Sequence, residues 1–104
     1  MGAYDDRIAE GHKSAAFYAV TSSTTALSYS PKQGSEQREI TSVSVQNNSV
    51  TSGENILVSL DSGSNFFAVT PLDFREKVTH SICEIQVKSA TGTPEYDLEY
   101  TNRP

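Results

Sequence analysis

The chain has 104 residues, of which 36% are hydrophobic and 20% charged, so it has room for one domain and is lean in apolar content for a globular one. Eight Lys and Arg against thirteen Asp and Glu leave a net charge of −5. With Lys13, Lys32, Lys77 and Lys88 far apart, this excludes a clustered basic surface for nucleic acid, and no stretch is long and apolar enough for a membrane helix.

Residues 1–35 read as a polar N-terminal arm. Its start, Met-Gly-Ala-Tyr-Asp-Asp-Arg, lacks the basic beginning and apolar core of a secretory signal. Asp6 stands where N-myristoylation wants Ser or Thr. Residues 4–10 carry the signals of one or two helical turns, with Asp5 or Asp6 at the start and Gly11 at the end. Tyr4 and Ile8 then share a face. Residues 15–20 are a mild apolar run, 21–25 an unbroken Ser/Thr tract, and 26–29 a short strand before Pro31 and Gly34 break the pattern.

From Glu39 the texture changes, and residues 36–104 read as a small β domain. Thr41, Val43 and Val45 alternate with Ser42, Ser44 and Gln46, the pattern of a half-buried strand. An Asn/Ser-rich loop follows over residues 47–55. Ile56–Leu60 and Phe66–Val69 flank a polar turn holding Gly63, a hairpin pattern, because Gly takes the positive φ that a tight reversal needs. Residues 77–88 form the longest strand candidate. Its apolar parity flips near residues 82–84, which predicts a β-bulge or a crossing between sheets. After the Thr91-Gly92-Thr93-Pro94 turn, Tyr96, Leu98 and Tyr100 alternate with Glu95, Asp97 and Glu99, giving a last strand with an acidic outer face.

About six short strands at ~10-residue spacing predict an all-β fold, a small β-sandwich or open barrel with an extended N-terminal arm. Ile56, Val58, Leu60, Ile85, Val87 and Leu98 are its expected core, with most domain aromatics beside them. A β domain of about 70 residues hides only roughly 60% of its surface, and the lone Cys83 cannot staple it. Stabilisation by a neighbour is therefore expected, through homo-oligomerisation or docking on something larger. A free cysteine also suits a reducing compartment.

Candidate chemistry is sparse. Asp61-Ser62-Gly63-Ser64-Asn65 alternates oxygen ligands as some calcium loops do, yet Leu72 occupies the position where an EF-hand needs Glu. A turn whose Asp and Asn bond their own backbone is the expected reading. His12 and His80 are the only histidines. No strained nucleophile elbow or glycine-rich oxyanion loop accompanies His80 and Asp73, and one Cys with two scattered His does not make a zinc site. Cys83 has no basic neighbour to activate it and reads as a small core residue. The expectation is a protein that is not an enzyme and uses no metal or cofactor. In the arm, Tyr4, Ile8, Phe17 and Tyr18 are apolar anchors spaced along a polar segment, which suits docking on a partner.

The layout of residues 40–100 resembles small virion structural proteins of tailed bacteriophages. The matching features are an apolar strand and Asn-rich loop (41–48), a strand ending in an Asp-x-Gly turn (56–63), Phe66-Phe67, a loop with Pro71, a long strand (78–88) and a final Tyr-rich strand (96–100). The resemblance implies a β-sandwich that decorates a capsid or belongs to a head–tail or tail assembly. It implies the major capsid protein or other virion proteins as partners, many copies per particle, and residence in a virion assembled in the host cytoplasm. It carries no catalytic residue across. The alternative is a sugar- or receptor-binding module presenting the loops at 47–55 and 61–65.

Overall fold

Strict alternation decides the architecture: a strand with every second residue apolar buries one face and wets the other. The computed structural model describes residues 13–33 and 36–103, and among these there are ten strands and no helix. They are β1 (Lys13–Thr21), β2 (Leu27–Tyr29), β3 (Lys32–Gln33), β4 (Glu36–Gln37), β5 (Ile40–Asn47), β6 (Ile56–Ser59), β7 (Phe67–Val69), β8 (Phe74–Ile82), β9 (Ile85–Ser89) and β10 (Glu95–Asn102). One sheet has the order β1-β10-β5-β8 and a second the order β2-β9-β6-β7, while β3 and β4 form a small ribbon. The pairings are antiparallel.

The two four-stranded sheets pack face to face as a small β-sandwich. Ile40, Val43, Val45, Tyr96, Leu98 and Tyr100 of the first meet Ile56, Val58, Val69, Ile85 and Val87 of the second. Burying one such aliphatic side chain contributes about 1.5–3 kcal/mol. The expected core residues are all fully buried except Leu60, which packs half-buried against the cluster. Asn47 joins the sheets at one end. Its buried amide nitrogen donates to the Glu54 carbonyl (2.8 Å) and to the Val69 carbonyl on β7 (2.9 Å), and its oxygen accepts from the Ser49 N–H (2.9 Å).

The parity flip near residues 82–84 is a sheet crossing. β8 ends at Ile82 in the first sheet, β9 begins at Ile85 in the second, and Cys83 and Glu84 are the step between. The Ser28 hydroxyl on β2 donates to Glu84 and holds its carboxyl below the ordinary range, anchoring the step to the second sheet.

The short strand expected over residues 26–29 is β2, but the rest of the N-terminal third departs from expectation. β1 pairs with β10 and β2 with β9, so residues 13–29 supply an outer strand to each sheet. The boundary expected near residue 35 therefore does not separate an arm from the sandwich. The physical reason is a bulge. Between Phe17 and Val20 the register with β10 shifts by one residue, and Ala19 takes a positive φ of 51°. That extra residue lets Ala15, Phe17 and Val20 sit opposite Tyr100, Leu98 and Tyr96 although their spacing is irregular. Tyr4, Ile8, His12 and the helical turn expected over residues 4–10 lie outside the described residues.

Candidate functional site

The outward face of the first sheet is built by the same alternation that fills the core. With Val43, Val45, Leu98 and Tyr96 turned inward, their neighbours must face solvent. Register then sets the rows. Glu99 lies opposite Ser44, which lies opposite Glu76 on β8; Asp97 lies opposite Gln46, which lies opposite Phe74. The bulge in β1 brings Tyr18 to the other flank. Tyr18, Ser44, Gln46, Phe74, Asp97 and Glu99 line a groove of about 210 Å³. Aromatic residues stand on the two outer strands, and carboxylates, a hydroxyl and an amide come from the two inner ones.

Both carboxylates are held in place by one oxygen. Asp97 Oδ1 accepts from the Ala19 N–H (2.9 Å) and from Asn48 Nδ2 (3.0 Å). The positive φ at Ala19 is thus part of the site, because the bulge turns that amide onto the carboxylate. Glu99 Oε1 accepts from the Tyr18 hydroxyl (2.9 Å), which fixes the ring over the rim. Among the described residues, Asp97 Oδ2, Glu99 Oε2 and the side-chain polar atoms of Ser44 and Gln46 have no hydrogen-bond partner. Among the described residues, no Lys or Arg lines the groove.

The residues expected to bind a partner are distributed as follows. Phe17 and Tyr18 are adjacent and so go to opposite faces. Phe17 lies at the open side of the sandwich, its ring centroid 5.0 Å from that of Tyr29 and 6.1 Å from that of Tyr100, with 36% of its surface still exposed. Tyr18 stays outside, 66% exposed, in the groove. Tyr4 and Ile8 lie outside the described residues. Sequence reasoning missed Phe74, expected among the core aromatics but 54% exposed. It read Asp97 and Glu99 as an acidic outer face without their partners on β1 and β5.

The two loops of the alternative reading do not converge. The segment before Ile56 and the turn after Ser59 lie at opposite ends of β6. Several of their polar groups are held internally. Asp61 accepts from the Asn65 N–H, Asn65 Nδ2 and Ser59 Oγ at 2.7–2.8 Å, and Ser49 Oγ donates to Glu54 Oε1 (2.7 Å). A second depression of about 260 Å³ beside the 61–65 turn is bordered by Phe66, Phe67 and Lys77. Lys77 and Lys88 place their ammonium groups 5.3 Å and 4.2 Å from the Phe67 and Phe66 rings, each covering one face of its ring. Cys83 is half-buried at the sheet crossing. No protein-family model matches the chain, and no curated protein matches it.

Proposed function

We propose that this protein is a non-enzymatic structural component of a virion, a capsid decoration protein or a head–tail or tail component, that binds its partner with the outer face of the β1-β10-β5-β8 sheet. The observation that carries the docking role is the outward placement of Tyr18, Phe74 and Val78, at 66%, 54% and 58% exposure, on one open sheet face. Large apolar side chains around a groove are what a protein–protein contact buries at its centre. The resemblance of residues 40–100 supplies the particle as the setting. Tyr4 and Ile8 keep their role as further anchors, contributed by the segment that leads into β1.

The experiment is reconstitution. Particles lacking the protein are mixed with wild type, with Tyr18→Ala/Phe74→Ala and with Tyr4→Ala/Ile8→Ala, and bound copies are counted after sedimentation. The outer-face double variant is expected to fold normally and to lose binding at least tenfold. Undiminished binding by it removes the outer face from the interface, and failure of the wild type to bind removes the virion role.

A further inference from the structure

We infer that the groove between Tyr18 and Phe74 receives one arginine side chain presented by the protein partner, an inference that rests on the docking role proposed above. Three features select this occupant. The first is size: at about 210 Å³ the groove is smaller than the roughly 300–1,000 Å³ of sites that enclose whole small molecules, and it suits a single side chain. The second is charge. Among the described residues, Asp97 and Glu99 each keep one oxygen free of any partner and none that lines the groove is basic; Glu76 follows in the next cross-strand position. The chain's net charge of −5 adds long-range attraction for a cation. The third is shape. A guanidinium stacks on an aromatic face and forks its N–H groups onto carboxylate oxygens, two demands that this combination of rings and carboxylates meets together.

Lysine fits less well. Its ammonium can sit over a ring, as Lys77 and Lys88 do, but it is a compact, strongly hydrated point charge that cannot lie flat on a ring while forking onto two carboxylate oxygens. A neutral sugar ring would use the aromatics yet leave two carboxylates without a counter-charge. The positions of the carboxylates are set before anything binds, by Ala19 and Asn48 on one and Tyr18 on the other, so little ordering is needed when the side chain enters.

The test is amide shift mapping by NMR on the 15N-labelled full chain, with N-acetyl-arginine amide as probe. Saturable shifts are expected at Ala19, Gln46, Asp97 and Glu99, with a dissociation constant on the order of 1–10 mM, as suits one side chain without its protein. They should weaken as salt is raised, since the contact is partly exposed. The isosteric but neutral N-acetyl-citrulline amide should give no such shifts, and N-acetyl-lysine amide should bind several-fold more weakly. Glu99→Gln should weaken arginine binding about tenfold, and Phe74→Ala, which leaves both carboxylates in place, should do the same. Equal binding of citrulline, shifts from a methyl pyranoside in place of arginine, or no shifts at ~50 mM arginine probe would each overturn the inference. Reconstitution onto particles keeps the two levels apart. A protein that docks on particles but ignores the arginine probe retains the docking role and loses the arginine pocket. One that binds the probe but not particles retains the pocket and loses the virion partner.

Discussion

Tyr29 on β2 and Tyr96 on β10 share a hydroxyl–hydroxyl hydrogen bond of 2.6 Å across the interface between the two sheets. The pair is asymmetric: Tyr96 is 0% exposed, whereas Tyr29 is only half-buried. Tyr29→Phe leaves a fully buried hydroxyl without a partner, which costs about 1–3 kcal/mol. Tyr96→Phe leaves a hydroxyl that water can reach, so its cost should be nearer 1 kcal/mol. Urea denaturation of the two variants measures both. Equal costs, or a larger cost for Tyr96→Phe, would mean that the Tyr96 hydroxyl finds another partner when Tyr29 is removed.

The same pair sets an alkaline limit. Burial first, and then the bond to Tyr29, push the Tyr96 phenol far above its ordinary value of 10.0. The unfolded chain releases this proton near pH 10 while the fold retains it. The contribution is therefore complete below about pH 10 and is lost as pH rises beyond it. Ultraviolet titration should show a late-ionising step that includes Tyr96 and Tyr100, whose phenol burial also pushes up, and Tyr96→Phe should shrink that step by one tyrosine.

β1 is an edge strand whose loss uncovers the core. Ala15, Phe17 and Val20 lie over Tyr100, Leu98 and Tyr96, and Tyr100 also receives the Phe17 ring. Deleting residues 1–21 should therefore remove cooperative unfolding rather than leave an intact β domain. Thermal melts followed by circular dichroism report this directly. A truncated chain that melts as sharply as the full one would restore the boundary near residue 35.

β5, β9 and β10 are legible in the sequence because each buries one whole face, so that Val43 and Val45, or Ile85 and Val87, recur at every second position. The crossing at residues 82–84 is legible for the same reason, since parity must switch when a strand changes sheets. β1 is not. Its apolar residues are few, and the bulge at Ala19 breaks their alternation, so period-2 reasoning sees a mild apolar run. Phe74 was beyond reach for a different reason: only its pairing opposite Gln46 decides which face it takes, and register belongs to the partner strand as much as to its own. The groove needs both, which is why only its acidic floor could be anticipated.

Asn47 is a buried polar residue whose partners all come from the chain itself. Replacing it with Ala strands the Glu54 and Val69 carbonyls and the Ser49 N–H, each of which loses its side-chain partner. The expected cost is about 2–4 kcal/mol, the upper part of the range for single substitutions. Asn47→Asp should be no rescue, because a carboxylate accepts but cannot donate to the two carbonyls. Denaturant midpoints of both variants test this. A loss below about 0.5 kcal/mol in Asn47→Ala would show that solvent enters and replaces the amide.

Asp61 makes the turn after β6 acid-sensitive. Its carboxylate accepts from Asn65 Nδ2, the Asn65 N–H and the Ser59 hydroxyl, and these bonds, the Asn65 side chain foremost, lower its pKa from 3.8 to about 2. The folded chain therefore stays ionised at a pH where the unfolded chain has taken up the proton. Its contribution to stability is complete above about pH 4 and is lost as pH falls towards 2; below that both states are protonated and nothing further changes. Carbon-detected NMR titration should place the Asp61 carboxyl midpoint near 2, and Asn65→Ala should raise it more than Ser59→Ala does. The melting temperature of wild type should exceed that of Asp61→Ala at pH 5 and approach it as pH falls to 2. A midpoint close to 3.8 would mean that these bonds do not persist in solution. Because the carboxylate oxygens are committed to the turn, millimolar calcium should leave the wild-type melting temperature unchanged. A calcium-induced rise of several degrees, absent in Asp61→Ala, would instead make this turn a cation loop.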